Sequence, residues 1–414
     1  MTSFSEKYHS LFNAASDELR RRQTEKYKHT PLAAFFGGNC AEPRTTTDAE
    51  IRGFGVRILE RILAEPGFRV LDSSLKILAV NGRYAGEGIT SEAGFVYGNI
   101  ADAASMPELQ TIIEQFAGSC LDADDLPTAM NLAAAAQGLF LMLPAGATAA
   151  RPLVIVNLGF AETPTACVAR NLFVFGENSK AEILIYNKGL SSEPALANFV
   201  SETFLAKNAR INLTTLTDES ESARFFAADY HALAAEASLT RTDVVAGEGI
   251  VRRNTEARFC GARGEIDLRG LTVAGGRARI DNYTFVNHAV PECKSSELYK
   301  SIVAGEAANI FNGRILVEKD AQKTAAFQSN KNVLLSAKAK VHSKPQLEIY
   351  ADDVKCSHGA AIGHLDEEAL FYMQARGIDR EEARRLLLSG FAAEAAGKVP
   401  PPFAEFISFA YDRF

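Results

Sequence analysis

A short pattern of a polar, a small, a polar and an aliphatic residue recurs along the middle of the chain, and its spacing limits the possible folds. Copies start at Lys180, Asn208, Glu236 and Arg263, in steps of about 28 residues. One turn of a two-sheet β-coil needs about that many residues, because it holds two short strands and their corners. In such a coil, the small residue of each copy would lie where the chain turns and space is tight.

Further copies start at Arg277, Ala307 and Lys338, so the series makes one half step of about 14 residues and then two steps of about 30. A β-sandwich has similar short strands without a preserved step, and periodicity alone leaves both architectures open. From about residue 138 onward, short β-rich runs are separated by turn residues, which favours a mainly β region in either case.

The residues before this region carry mixed patterns. Apolar residues at helical spacing predict helices over residues 3–28 and 48–63. Short apolar runs predict a few strands over residues 70–96, and residues 106–118 return to a helical pattern. We expect a small mixed domain here, without a recognisable functional motif.

Helical periodicity also returns after residue 363. Acidic residues from Asp366 open one helix, and Gly377 has the position of its C-cap. Asp379 with Glu382 three residues later is typical of a capping box for a second helix. Large apolar residues continue towards the end of the chain at Phe403, Phe406, Phe409 and Tyr411. This hairpin is equally compatible with a docking surface and with packing against the end of the β region.

Composition excludes several classes of function. The 414 residues carry a formal charge of −7 with acids and bases interleaved, so no basic stripe for nucleic acid is present. The longest apolar region, residues 131–160, is interrupted by prolines and polar residues, and we expect no membrane span. Six widely spaced cysteines and a start without an apolar signal core predict a reducing, cytoplasmic location.

Cys356 and His358 are the strongest candidates for chemistry. They are two residues apart in a strand-like segment, so both side chains point to the same side and can share a soft metal or a sulfur species. Leu347, Ile349 and Ala351 look inward, but two aspartates then break the alternation, which leaves the face of Cys356 and His358 open. The alternative is a buried free cysteine beside a hydrogen-bonded histidine.

Other histidines and cysteines are weaker candidates. His288 and Cys293 flank a proline turn without a third ligand, and we interpret both as structural. His342 and His364 are single imidazoles without spaced partners. The remaining cysteines are typical of ordinary core or surface positions: Cys40, Cys120, Cys167 and Cys260.

Several stretches resemble the SufB/SufD family of iron–sulfur cluster assembly scaffolds. Residues 347–377 (LEIYADDVKCSHGAAIGHLDEEALFYMQARG) are similar to the signature of its SufD branch, residues 271–336 read like the same family, and residues 144–156 resemble its entry into the central domain. SufB-like chains usually carry a Glu-Ala pair where His358-Gly359 stands, which favours the SufD branch. A SufB-type paralogue acting as the principal cluster scaffold is the alternative.

The resemblance implies a mainly β fold with three domains. A central right-handed parallel β-helix is expected over residues 131–362. An N-terminal mixed, largely helical domain over residues 1–130 and a C-terminal helical domain over residues 363–414 are expected to flank it.

The resemblance also implies a non-enzymatic scaffold that pairs with a SufB-like subunit through the β-helix. A SufC-like ABC ATPase would dock on the C-terminal helices, where Phe371, Tyr372 and Arg376 are the candidate contacts. The isolated chain is compatible with a homodimer.

His358 and Cys356 are implied to help build a transient iron–sulfur cluster near the contact with the SufB-like subunit. Two ligands are too few for a stable cluster, so further ligands are expected from the partner, and this chain alone is expected to bind no cofactor tightly.

Familiar catalytic motifs are absent: the sequence has no Walker A loop, no GxGxxG after a strand, no GxSxG and no HExxH. A β-helix enzyme acting on polysaccharide is a less favoured alternative. It would need carboxylates clustered on successive coils, whereas Asp243, Glu248, Asp267 and Asp281 share no coil position.

Overall fold

The structure is a computed structural model, and it describes residues 26–36, 58, 60, 68, 71–160, 164–190, 193, 195–401 and 403–405. The helices expected over residues 3–28 and 48–63 lie largely outside the described residues. Cys40, Phe406, Phe409 and Tyr411 lie outside them as well.

Strands dominate the described chain. In chain order they are β1 Leu75–Val80, β2 Arg83–Tyr84, β3 Ile89–Glu92, β4 Phe95–Asn99, β5 Leu139–Leu143, β6 Leu153–Gly159, β7 Thr165–Phe175, β8 Lys180–Gly189, β9 Ala195–Leu205, β10 Arg210–Glu219, β11 Ala223–Leu233, β12 Ser238–Gly247, β13 Ile250–Phe259, β14 Glu265–Ala274, β15 Arg279–His288, β16 Lys294–Val303, β17 Ala308–Val317, β18 Ala325–Leu334, β19 Lys340–Ile349 and β20 Lys355–His364. The described helices are α1 Leu32–Phe36, α2 Ile100–Ser105, α3 Pro107–Phe116, α4 Leu126–Ala134, α5 Glu367–Gln374 and α6 Arg380–Ala396.

From β6 onward, successive strands alternate between two sheets and pair in parallel with the strand two places away. The even sheet has the order β2-β1-β6-β8-β10-β12-β14-β16-β18-β20, and the odd sheet has the order β3-β4-β5-β7-β9-β11-β13-β15-β17-β19. This arrangement is a parallel β-solenoid, so the predicted coil is confirmed and the sandwich interpretation is wrong. Within the described helices, none is long and apolar enough to cross a membrane.

The recurring sequence pattern marks the corners of the solenoid. Asn208, Glu236 and Arg263 have positive φ angles of 54°, 62° and 61°, and the small residue after each of them lies in the turn. Ala209 and Ala237 are fully buried. A Cβ at Gly264 would lie 2.7 Å from a ring carbon of Phe259. Space is therefore as tight at the corners as the pattern predicts, and the half step at Arg277 marks the change to the odd sheet.

Two copies of the pattern differ from the predicted register. Lys180 pairs with Arg210, so the corresponding unit of that coil starts at Asn178 and its small residue is Ser179. Ala308 pairs with Arg279, so that unit starts at Glu306, one residue before the predicted start. A serine replaces alanine at the first corner, and two successive alanines stand at the second, which explains both shifts.

The interior of the solenoid contains a buried ion network. The Arg241 guanidinium donates to Asp229 at 2.6 Å and to Asp243 at 2.8 Å, and Arg253 donates to Asp229 at 2.9 Å. His231 lies 2.9 Å from Arg241, and burial, with the guanidinium beside it, lowers its pKa to about 3. Two guanidinium groups therefore balance two carboxylates around a neutral imidazole, which makes their burial tolerable.

The C-terminal helices pack on the outer face of the even sheet. Asp366 caps α5 through the backbone N–H groups of Glu368 and Ala369, and Asp379 caps α6 through Glu382, as predicted. Apolar residues of α6 belong to one cluster with the outer side chains of the even sheet. Lys300 donates to the carbonyl of Phe391 at 2.9 Å, which fixes α6 on the sheet.

The two ends of the solenoid differ. At one end, antiparallel strands β2, β3 and β4 continue the sheets. At the other end, β19 and β20 are the last strands of their sheets, and no described strand pairs with their outer edges. Cys356 and His358 lie on β20, so the fold places them at this open end. The predicted domain boundaries at residues 130 and 362 stay predictions.

Candidate functional site

Cys356 and His358 face the inside of the solenoid. Cys356 lies opposite Ala326 and His358 lies opposite Gln328 in the parallel pairing of β20 with β18. Side chains in register on neighbouring parallel strands point to the same side of the sheet. Ala326 is fully buried in the coil core and Gln328 is only 3% exposed, so this side is the interior. The prediction that both candidates lie on the same face of the strand is confirmed. The pairing of β20 with β18 shows that this face is the interior one.

Cys356 is half-buried. It packs against the apolar core together with Leu347 and Val354. Burial raises the pKa of the thiol, and a backbone hydrogen bond from Ala326 opposes that change. A metal binds the thiolate form of cysteine, so a metal that binds Cys356 must displace the thiol proton. The raised pKa makes this displacement less favourable.

His358 is exposed, and β20 is the last coil strand that the structure describes. Its imidazole makes no hydrogen bond to any part of the chain that the structure describes. Ile349 and Ile362, which also point to the interior side, are 40% and 50% exposed at the same end. We define the open mouth of the solenoid as four residues: Ile349, Cys356, His358 and Ile362. It combines a thiol and a free imidazole with an apolar rim.

The open mouth is not a complete metal site by itself. Across the described ranges, no group of three or more His, Cys, Asp and Glu side chains is placed to hold a metal ion. Cys356 and His358 therefore supply at most two ligands, a soft thiolate and a borderline imidazole, both of which suit the iron of an iron–sulfur cluster.

The candidate docking residues lie on α5. Phe371 is 73% exposed and Tyr372 is 57% exposed, although α6 buries its own apolar side against the sheet. The Arg376 guanidinium lies 4.4 Å from the centre of the Tyr372 ring and donates to its hydroxyl. The packing interpretation of the hairpin is confirmed for α6, which lies on the β region. α5 presents aromatic side chains to solvent, and the docking surface stays a prediction.

The other candidates lie apart from the open mouth. His288 is fully buried, lies 2.8 Å from the Ser295 hydroxyl and has its pKa lowered to about 4 by burial. Cys293 is buried at a corner. His342 stacks on His29, with 4.1 Å between the ring centres.

The interior beneath His358 was not identified from the sequence. Glu297, Gln328 and His358 are register partners on β16, β18 and β20, with the first two buried. A signal was present, because each of them stands four residues after the small or apolar corner residue of its coil: Cys293, Thr324 and Val354.

Comparison with known proteins agrees with this architecture. Residues 158–391 match the family model described as SUF system FeS cluster assembly, SufBD core domain. The chain is 32% identical to the iron–sulfur cluster assembly protein SufD of Escherichia coli over 253 residues, which is 60% of each protein. It is 28% identical to a SufBD family protein of Synechocystis over 297 residues, covering 70% of this chain and 66% of the relative.

A chloroplastic protein of Arabidopsis thaliana, ABCI7, is 32% identical over 302 residues, covering 71% of this chain and 63% of the relative. The aligned part is thus less than two thirds of each of these relatives. The matched family model, however, covers more than half of this chain, including β20 and most of the C-terminal helices. The chain belongs to the SufBD family of iron–sulfur cluster assembly proteins and is similar to its SufD members.

Proposed function

We propose that the chain is a non-enzymatic scaffold subunit that helps to form or shape a nascent iron–sulfur cluster. The observation that carries this proposal is the placement of Cys356 and His358 at the uncovered end of a SufBD-family solenoid. The cluster is cargo here: Cys356 and His358 contribute a thiolate and an imidazole, and a partner subunit supplies the remaining ligands.

We propose a SufB-like subunit as the partner at the open mouth. The outer edges of β19 and β20 pair with no described strand, and an edge of this kind is suited to pairing with strands of another chain. Ile349, Tyr350 and Ile362 are 40%, 64% and 50% exposed there, which gives the contact an apolar component. A partner seated on this end would bring its own ligands next to His358.

A SufC-like ABC ATPase is the proposed partner of the C-terminal helices. Phe371 and Tyr372 on α5, and Leu386 at 45% exposure on α6, are exposed large side chains in a hairpin that is otherwise anchored to the sheet. Exposed aromatic anchors on a rigid support are typical of the energetically important centre of an interface.

The experiment that tests the assembly is an anaerobic affinity purification of the chain at its native level. Co-purification of a SufB-like scaffold and an ABC ATPase, with the visible absorption of an iron–sulfur chromophore, is the expected result. A chain that elutes alone and colourless would refute the scaffold function.

The cluster site is tested by substitution. His358→Ala should leave the fold and the co-purified partners intact and lower cluster delivery, because the exposed imidazole supports no other described residue. Cys356→Ala should have a smaller effect. Unchanged growth of a His358→Ala strain that depends on this pathway would refute the role of His358, and an equal or larger defect for Cys356→Ala would make the thiol the main ligand.

A further inference from the structure

A column of polar side chains runs inward from His358. Glu297, Gln328 and His358 follow one another across β16, β18 and β20 and all point into the solenoid. Glu297 is 2% exposed and Gln328 is 3% exposed, so the column leads from buried polar groups to a solvent-accessible imidazole. Neighbouring side chains on paired strands are close enough to interact directly.

The Gln328 amide is buried without a hydrogen-bond partner. Neither its nitrogen nor its oxygen makes a hydrogen bond of normal geometry to any described residue. Space for the amide exists because Gly313 stands opposite: a Cβ at that position would lie 2.4 Å from the Gln328 nitrogen. A buried amide with unused donors and acceptors reduces stability, and such groups in native structures need another explanation than packing.

Glu297 continues the column beyond Gln328. One of its carboxylate oxygens accepts a hydrogen bond from the Thr284 hydroxyl at 2.6 Å, and the other has no partner among the described residues. Its side chain forms no ion pair with a described lysine or arginine. A free acceptor therefore lies on the inner side of the Gln328 amide, and a free imidazole lies on its outer side.

We propose that Gln328 is a positioning residue for His358. The amide oxygen accepts the N–H of the imidazole, and the amide N–H donates to the free oxygen of Glu297. The imidazole N–H and one of the two amide N–H groups then each meet an acceptor. The second imidazole nitrogen points to the open mouth with its lone pair available. Metal-binding imidazoles are commonly oriented in this way by a hydrogen bond to the opposite ring nitrogen. The hydrogen bonds of this arrangement do not depend on the proposed function. Only its purpose, a nitrogen directed at a nascent cluster, rests on that function.

The test measures the imidazole and not cluster assembly. The full chain is labelled with ¹⁵N at its seven histidines, and the His358 signals are assigned with a His358→Asn variant. Gln328→Met keeps the length of the side chain and removes the amide. At alkaline pH, the tautomer ratio of His358 should change about fivefold in this variant, which is the effect of losing one hydrogen bond.

Asn330→Leu is the matched control. Asn330 is equally buried on the same strand, but its amide donates to the carbonyl of Tyr299 at 3.1 Å and it lies opposite Ala360. This variant should unfold at a lower temperature and keep the wild-type tautomer ratio of His358. Gln328→Met should also unfold at a lower temperature, because it removes the hydrogen bonds proposed with Glu297 and His358, but it alone should change the tautomer ratio of His358.

An unchanged His358 tautomer ratio in Gln328→Met would overturn the inference, and so would an equal change in Asn330→Leu. This outcome is separable from a failure of the proposed function. If cluster delivery does not depend on His358, the scaffold role of that residue fails while the tautomer measurement still decides whether Gln328 orients the ring.

Discussion

Replacing Glu297 by glutamine should remove a pH dependence of folding stability that this one carboxyl group imposes. Glu297 is 2% exposed, and burial raises its pKa from 4.5 to about 7, against a smaller opposing effect of the hydrogen bond from the Thr284 hydroxyl. The folded protein therefore binds the Glu297 proton more tightly than the unfolded chain does. The resulting stabilisation is fully present below about pH 4.5 and is lost as the pH rises through about 7.

The size of the effect follows from the two pKa values. A difference of about 2.5 between the folded and unfolded pKa corresponds to about 3 kcal/mol. Glutamine has nearly the same shape and still accepts the hydrogen bond from Thr284, so the variant should match the wild type near pH 4.5. Above neutral pH it should be more stable than the wild type by about 3 kcal/mol.

The free energy of unfolding in urea, measured at several pH values between about 5 and about 8, checks this expectation. Glu182→Gln is the matched control, because Glu182 is an exposed carboxylate in β8 and its replacement should give a small difference that does not change with pH. A constant difference between Glu297→Gln and the wild type across this range would refute the reasoning.

Three further predictions concern docking and packing. Alanine at both Phe371 and Tyr372 should weaken capture of the proposed ATPase partner about tenfold or more without lowering the unfolding temperature, because both side chains are exposed; unchanged binding in a quantitative pull-down would contradict the docking surface. Arg252→Met should lower the free energy of unfolding in urea by about 3–5 kcal/mol, because Asp281 then stays buried without its counter-charge. The double variant with Asp281→Leu should recover most of that loss. An equal loss in the single and double variants would count against the argument. Gly264→Ala should lower stability by about 1–3 kcal/mol, since its Cβ would meet a ring carbon at 2.7 Å; an unchanged unfolding temperature would show that the corner has room.

The spacing of corner residues indicated a coil, because each turn must contain two strands and their bends, but the family resemblance was needed to choose the coil over a sandwich. Register was harder to predict. The corner of one coil has Ser179 in place of alanine, and another has two successive alanines at 307 and 308. The sequence pattern alone therefore assigns the wrong register to these two coils. Two aspartates at another corner interrupt the alternation before Cys356, which left the face of that residue open until the pairing with Ala326 fixed it.

The environment of the site was the least predictable part. Gln328 is separated from Glu297 and His358 by 31 and 30 residues, and only its position four residues after a corner residue connects it with them. Its significance depends on the missing hydrogen-bond partners and on the space at Gly313, which only the packed solenoid shows. The two ligand candidates themselves were accessible from their spacing and from the family resemblance.

The unpaired edges of β19 and β20 have a consequence for the cell as well as for the complex. A sheet edge with exposed Ile349, Tyr350 and Ile362 can recruit strands from any chain that it meets, including other copies of itself. Molecules made in excess over the partner would keep this edge uncovered and would be prone to aggregation and degradation. The rate at which the chain is synthesised should therefore be matched to the supply of the partner proposed for its open end.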